Sequence, residues 1–134
     1  MGLLKHVTWM QRVWFEESIG GTSRLELGLV SRPQESFRLT EDDTVANVIA
    51  EHSKACSTAR LVAGDHSLGA LVTGHRAGPR TARWVYLQVL RELAHHCGHA
   101  DILREQVPQR LKPRSRRRWM RPRNLGVRTL NQSD

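Results

Sequence analysis

The sequence predicts an α+β protein in which a small sheet with packed helices is followed by a helix pair and an extended basic C-terminal arm. Three observations support this fold class. Apolar residues recur at helical spacing in residues 3–17 and again in residues 84–94. Residues 24–31 alternate between leucine and other side chains, which is the pattern of a strand. The C-terminal part is rich in arginine and interrupted by prolines, so no continuous helix is expected to run through it.

The first helix is predicted over residues 3–17, and Gly20 and Gly21 are expected to end it. Residues 24–31 and 36–40 are predicted to pair as antiparallel strands, because the turn sequence Ser-Arg-Pro-Gln lies between them. This hairpin would supply the first two strands of the sheet.

A second helix is predicted from Thr40 to about Cys56. The threonine is suited to cap the helix, and the acidic residues that follow it favour the helix dipole. Residues 60–63 and 70–73 are short apolar runs with glycines beside them, which predicts two more strands.

The longest helix is predicted to start after Thr81 and to end at Gly98, with a short helix over residues 101–106 after it. The apolar positions of the helices and strands form the predicted core. Its members are Leu25, Leu27, Val45, Val48, Ile49, Leu61, Leu87, Leu90 and Leu93.

Length and composition restrict the possible classes. The chain has 134 residues, which is enough for one compact domain, and no apolar stretch is long enough to cross a membrane. Its two cysteines exclude a disulfide-rich scaffold and a four-cysteine zinc site. We divide the chain into an N-terminal amphipathic helix (1–20), a small α+β body (24–76), a helix pair (79–107) and a basic arm (108–134).

The positive charge is concentrated near the C-terminus. The formal net charge is +8, yet residues 104–128 contain ten basic residues against one acid. Arginine binds phosphate through a planar fork, and a tryptophan among arginines can stack on a base, so the arm is predicted to bind RNA. The predicted binding residues are Arg110, Lys112, Arg114, Arg116, Arg117, Arg118, Trp119, Arg121, Arg123 and Arg128.

Residues 24–64 resemble a ubiquitin-like β-grasp. The similarity rests on the predicted hairpin, the strand-to-helix junction over 39–45, the helix, and the apolar run over 60–64. The resemblance implies a helix packed across a sheet. Because no diglycine follows the last strand, it implies a fold without conjugation chemistry.

Residues 85–118 resemble the bacterial-type small-subunit ribosomal protein twenty-one family, including its mitochondrial versions. The similarity rests on a helix ending at Gly98, an apolar segment with arginine over 102–104, and a Lys-Pro pair with a basic run over 112–118. The resemblance implies a structural protein that lies on ribosomal RNA in the small subunit, near the messenger-RNA exit region.

The N-terminal segment favours the mitochondrial version of this interpretation. It carries Lys5 and Arg12 and has no acid before Glu16, which is the composition of a mitochondrial presequence. We therefore expect a mitochondrial location, with a cytoplasmic location as the alternative.

Two histidine-containing pairs have the spacing of metal ligands. His52 and Cys56, and also His95 and His99, lie four residues apart, so two helices could each present two ligands. Gly98 is expected to end the second helix before His99, and the first pair lies on an apolar face. We therefore expect no metal, and we keep these four residues as the alternative.

No motif for catalysis stands out in the sequence. Asp65, His66 and Ser67 are adjacent, whereas the members of a triad come together from distant positions. The glycines over 64–78 do not match a phosphate-binding motif. We expect a protein that is not an enzyme and that has no cofactor.

The leading hypothesis is a structural RNA-binding component of a ribonucleoprotein, most plausibly a mitochondrial small ribosomal subunit. Its partners would be ribosomal RNA and neighbouring ribosomal proteins, without a membrane or a small-molecule substrate. One alternative is a phage or plasmid accessory protein that binds DNA. Another is a ubiquitin-like protein-interaction module with a basic tail.

Overall fold

The computed structural model describes residues 1–76 and 78–107, and the ten residues predicted to bind RNA all lie outside this part of the chain. The described chain is mostly helical with one small antiparallel sheet, which agrees with the α+β class at that coarse level. The division of the chain into four segments stays a prediction. No helix among the described residues is long and apolar enough to cross a membrane.

The first helix agrees well with its prediction. Helix α1 spans Gly2–Arg12 and continues as a π-helical segment over Val13–Ile19. In that segment Ser18 Oγ donates to the carbonyl of Val13 at 2.9 Å. The chain then leaves the helix at Gly20, and the next glycine adopts a positive φ of 74°.

The predicted strand over 24–31 is wrong. Its carbonyls bond to side chains of α1 instead of to a second strand. Trp9 Nε1 donates to the Val30 carbonyl at 2.9 Å, and Arg12 Nη2 donates to the Leu27 carbonyl at 3.2 Å. The segment is consequently a folded loop against α1, and Leu25 is 90% exposed.

The predicted strand over 36–40 is also wrong, because a 3-10 helix over Pro33–Phe37 occupies its first part. Proline fixes φ near the helical value and lacks a backbone N–H, so it is well suited to the first turn of a helix. This short helix packs against α1.

Helix α2 spans Val45–Gly64, so it begins later and ends later than predicted. Its cap is Thr44, whose Oγ1 accepts from the backbone N–H of Asn47 at 3.1 Å. Because the helix includes residues 60–63, the strand predicted there is wrong. The region 24–64 contains no strand, so the β-grasp resemblance is wrong as well.

The predicted strand over 70–73 is confirmed. Strand β1 (Leu71–Val72) pairs antiparallel with β2 (Arg80–Thr81), with Leu71 opposite Thr81. At the end of this hairpin the backbone passes very close to the π-helical extension of α1. A Cβ at Gly74 would lie 1.9 Å from the carbonyl oxygen of Glu17, so only glycine fits.

Helix α3 spans Ala82–Gln106 as one element. Its predicted cap is confirmed, since Thr81 Oγ1 accepts from the backbone N–H of Trp84 at 3.2 Å. The predicted end at Gly98 and the separate second helix are wrong. One glycine costs a helix only about 1 kcal/mol relative to alanine, so helical neighbours on both sides can retain it.

The core lies where α1 and its π-helical extension meet α2, β1 and α3. Small and β-branched residues of α3 face it, while the neighbouring leucines point elsewhere. Of the nine predicted core residues only Val48 is buried; Leu90, for example, is 64% exposed. The buried cluster consists of Val7, Met10, Phe15, Ile19, Ala59, Val72, Ala82, Val85 and Val89.

Truncation of Val85 should therefore destabilise the protein more than truncation of Leu90. Val85 is 0% exposed, so Val85→Ala should lower the free energy of unfolding by about 2 kcal/mol, whereas Leu90→Ala should change it by less than ~1 kcal/mol. Urea denaturation followed by circular dichroism measures both. An equal loss in the two variants would contradict this assignment of the core.

The ion pair between Lys5 and Asp43 should make the free energy of unfolding depend on pH in the acidic range. The bond from Lys5, together with the Thr40 backbone N–H, lowers the pKa of Asp43 from 3.8 to about 2. Because the folded-state pKa is depressed, the contribution is fully present above pH 3.8 and is lost as the pH falls through about 2. The stability difference between wild type and Asp43→Asn should shrink over this window. A constant difference would show that the carboxylate charge is unimportant.

Candidate functional site

Three imidazoles lie together where α1, α3 and the 3-10 helix pack. The rings of His6 on α1 and His96 on α3 meet edge to face, with centroids 4.7 Å apart. The centroids of His96 and His99 are 5.7 Å apart, and Phe37 stacks on His6 at 3.8 Å. We call His6, His96 and His99 the histidine cluster.

The hydrogen bonds of His6 assign its tautomer. Its Nδ1 lies 2.7 Å from Ser36 Oγ, and that hydroxyl donates its proton to the Pro33 carbonyl at 2.6 Å. A hydroxyl has a single proton, so Ser36 accepts from His6 and Nδ1 carries the hydrogen. In the neutral ring, Nε2 of His6 therefore holds a lone pair.

His96 lacks such partners. Both of its ring nitrogens are buried, and neither has a hydrogen-bond partner among the described residues. Buried polar atoms in proteins are almost always hydrogen-bonded, so these two ring nitrogens are available to a water, an ion or a ligand. A bound ligand, an ion or a transferred proton would each use these nitrogens.

Burial favours the neutral form of His6 and His96. Burial is the main cause that lowers the pKa of both His6 and His96, and the neighbouring imidazoles lower it further. The Glu92 carboxylate acts in the opposite direction on both rings and is held by a hydrogen bond from Gln88 Nε2 at 2.6 Å. At neutral pH the rings can accept a proton, and Glu92 can stabilise the resulting charge.

Two cavities are lined by a residue of the cluster or by its hydrogen-bond partner. A mostly apolar cavity of about 360 Å³ opens next to His99 and is lined by Leu3, Phe37, Ile102 and Leu103. A groove of about 490 Å³ is bordered by Ser36, the partner of His6. Its wall also includes several charged and aromatic side chains, namely Lys5, Trp9, Arg12, Arg38 and Asp43.

The structure groups the candidate metal ligands differently from the sequence-based alternative. His52 and Cys56 contact each other at 3.6 Å on α2, while His99 lies with His96 and His95 is exposed. In the part of the chain that the structure describes, no three His, Cys, Asp or Glu side chains are arranged to hold a metal ion.

Sequence reasoning missed His6 and His96. One local signal was available, because Glu92, His96 and His99 follow helical spacing and share one side of α3. It could be used only if α3 continued through Gly98. No spacing rule connects His6 to this group, since the contact depends on how α1 packs against α3.

Comparison with known protein families gives a match over most of the chain. The model of a family described as Mycothiol-S-transferase matches residues 1–109, which include the whole histidine cluster and both cavities. No curated protein and no solved structure matches the chain.

The family match overturns the functional interpretation of the sequence. The chain is not a member of the ribosomal protein family that residues 85–118 resemble, and the structural RNA-binding role and both of its alternatives lose their support. The expectations of ribosomal partners and of no small-molecule substrate are wrong, as is that of a protein without enzymatic activity.

The mitochondrial location is wrong too, because mycothiol is a bacterial thiol. That expectation came from the composition of the N-terminal segment, whereas the errors about function and partners come from the weight given to the basic arm. The matched span ends at residue 109, before nearly all of the arginines that suggested RNA. The span covers most of the sequence, and the chain belongs to the mycothiol-S-transferase family.

Proposed function

We propose that the protein transfers a small electrophilic substrate to the sulfur of mycothiol, and that the histidine cluster is its active site. The observation that carries this proposal is the pair of buried ring nitrogens of His96, which have no hydrogen-bond partner among the described residues and lie between His6 and His99. The family match supports the reaction class, and the geometry supports the location.

The cluster offers what thiol transfer requires. The thiolate is the nucleophile, and a free thiol is mostly protonated at neutral pH. A neutral imidazole can accept the thiol proton as the sulfur forms its bond to the electrophilic carbon. The imidazolium then returns the proton to the leaving group, or to the carbon next to the new bond when the reaction is an addition.

His6 and His96 are suited to this proton transfer in different ways. His6 is held by Ser36 with its Nε2 lone pair free, whereas both nitrogens of His96 are free of protein partners among the described residues. Glu92 favours the protonated form of both rings, so it would stabilise the imidazolium formed during the reaction. Glu92 is thus a positioning and electrostatic residue in this proposal.

The two cavities suit two substrates. The lining of the cavity beside His99 favours an apolar electrophile, which would bury Leu103 and Ile102. The groove beside Ser36 has cationic, acidic and aromatic side chains and is the larger of the two, so we assign the thiol substrate to it. The reacting atoms would then meet near His6.

The same nitrogens could also hold a divalent transition metal. Three imidazoles are a donor set that zinc and similar ions accept, and the orphaned nitrogens of His96 are consistent with it. The rings would have to reorient, because they are not arranged for a metal as they stand. A bound ion would supply positive charge that favours the thiolate.

Replacement of His96 should abolish most of the activity. We expect His96→Gln to lower kcat/KM for S-alkylation of mycothiol by ~10²–10⁴-fold, because general acid–base catalysis contributes about that much. His95→Gln is the matched control, since His95 is the exposed neighbour on the same helix. The assay follows the loss of free thiol with a small alkylating electrophile, after subtraction of the uncatalysed rate.

Equal activity of the His96→Gln and His95→Gln variants would refute the location of the active site. Metal analysis of the purified protein, with activity measured before and after chelation, separates the two chemical roles of the cluster. Activity that survives complete removal of metal supports an imidazole acting as the base. Activity that disappears and returns with added ion supports a metal ion held by the histidine cluster.

Replacement of Leu103 should change substrate preference. Leu103→Asn places an amide in the apolar cavity, so KM for an apolar electrophile should rise by ~10-fold while KM for a small polar one changes little. Leu87→Asn is a control on the same helix, because Leu87 is 60% exposed and lies outside this cavity. A uniform loss with both electrophiles would mean that the cavity does not select substrate.

A further inference from the structure

A second group of reactive side chains lies between α1 and α2, apart from the histidine cluster. His52 Nε2 is 3.6 Å from the sulfur of Cys56, and His52 Nδ1 is 3.1 Å from Thr8 Oγ1. The amide of Gln11 lies 3.5 Å from the same sulfur. We call Thr8, Gln11, His52 and Cys56 the cysteine site.

The hydrogen bonds of Thr8 orient His52 as a proton acceptor for Cys56. Thr8 Oγ1 donates its single proton to the Leu4 carbonyl at 2.9 Å, so toward His52 it can only accept. Nδ1 of His52 consequently carries the hydrogen. The lone pair of the neutral ring is on Nε2, which is the nitrogen that faces the cysteine sulfur.

The side-chain amide of Gln11 can hydrogen-bond to Cys56 both as a thiol and as a thiolate. Its Oε1 can accept a hydrogen bond from the thiol, and its Nε2 can donate one to the thiolate, with both atoms 3.5 Å from Sγ. A base on one side and an amide donor on the other form the surroundings of nucleophilic cysteines.

The sulfur has access to a cavity. Cys56 is half-buried and lines a cavity of about 360 Å³ together with Gln11, Arg60, Ala63 and Tyr86. The titratable groups that line this cavity with the cysteine are Arg60 of α2 and Tyr86 of α3.

We propose that Cys56 is a site of thiol–disulfide exchange with low-molecular-weight disulfides. His52 Nε2 accepts the thiol proton, and the thiolate attacks one sulfur of the disulfide. A bond forms between Cys56 Sγ and that sulfur while the original S–S bond breaks. The other half leaves as a thiolate and takes the proton from His52, so Cys56 is oxidised to a mixed disulfide and one thiol is reduced and released.

Cys97 provides an internal comparison. It is exposed on α3, so accessibility alone would make it the more reactive of the two cysteines. Exchange that depends on the cysteine site reverses this order, because Cys56 has a base oriented toward its sulfur.

The test uses the full chain with one cysteine at a time. Cys97→Ser retains Cys56, and Cys56→Ser retains Cys97. Each variant is mixed with bis(2-hydroxyethyl) disulfide, and the mixed disulfide is followed by intact mass. At pH 7 we expect Cys56 to react ~10-fold faster than Cys97, because only Cys56 has a base oriented toward its sulfur.

Further variants in the Cys97→Ser background test the roles of its neighbours. His52→Gln should slow exchange by ~10-fold and remove the advantage of Cys56 over Cys97. Thr8→Val should have a smaller effect of the same kind, and Thr8→Ser should restore the rate because it retains the hydroxyl. All variants should react equally in urea, where the site is absent, which separates the effect of the fold from that of a variant that unfolds.

Cys97 reacting as fast as Cys56 in the folded protein would overturn the proposal. So would a His52→Gln variant that exchanges at an unchanged rate. The outcome is separate from the transferase activity, since Cys56 lies outside the histidine cluster and Cys56→Ser should still alkylate mycothiol.

Discussion

The packing of α1 against α2 and α3 is the contact on which the rest of the structure depends. Val7 and Met10 join the core that α3 completes with Val85 and Val89. A helix enclosed from several sides also buries its polar residues, which then need partners. His6 forms a hydrogen bond with Ser36, and this bond holds the 3-10 helix against α1. The same burial brings His6 to His96, so the core packing and the candidate active site have one cause.

The sequence predicted helices better than strands, for identifiable reasons. The first helix and the Thr81 cap follow from local rules that depend only on neighbouring residues. The alternation in 24–31 satisfies the pattern of a strand, but a strand also needs a partner for its carbonyls. Trp9 and Arg12 take two of those carbonyls, and no pattern within 24–31 contains that information.

Neither the core nor the histidine cluster could be predicted from the sequence, because both depend on how the helices pack. Leucine is the more hydrophobic choice along α3, so hydropathy favours Leu87 and Leu90 as core. The structure instead packs the face with Ala82 and Val85, which lets the helix approach closely. Rules based on sequence spacing could not predict the histidine cluster either, because His6 and His96 are far apart in sequence. The basic arm dominated the functional interpretation because charge is readable from composition alone.

The histidine cluster and the cysteine site share the same arrangement of hydrogen bonds. In each, a side-chain hydroxyl donates its proton to a backbone carbonyl. Ser36 donates to Pro33, and Thr8 donates to Leu4. The hydroxyl oxygen can then only accept from the neighbouring histidine, so the Nδ1 of that histidine is the donor. Each Nε2 is thereby left as the acceptor. His6 and Thr8 are two positions apart on α1, which places their side chains about 200° apart around the helix axis. The two imidazoles therefore meet α1 on opposite sides, and each has its own hydroxyl partner, so chemistry at one sulfur can proceed without competing for the base that serves the other.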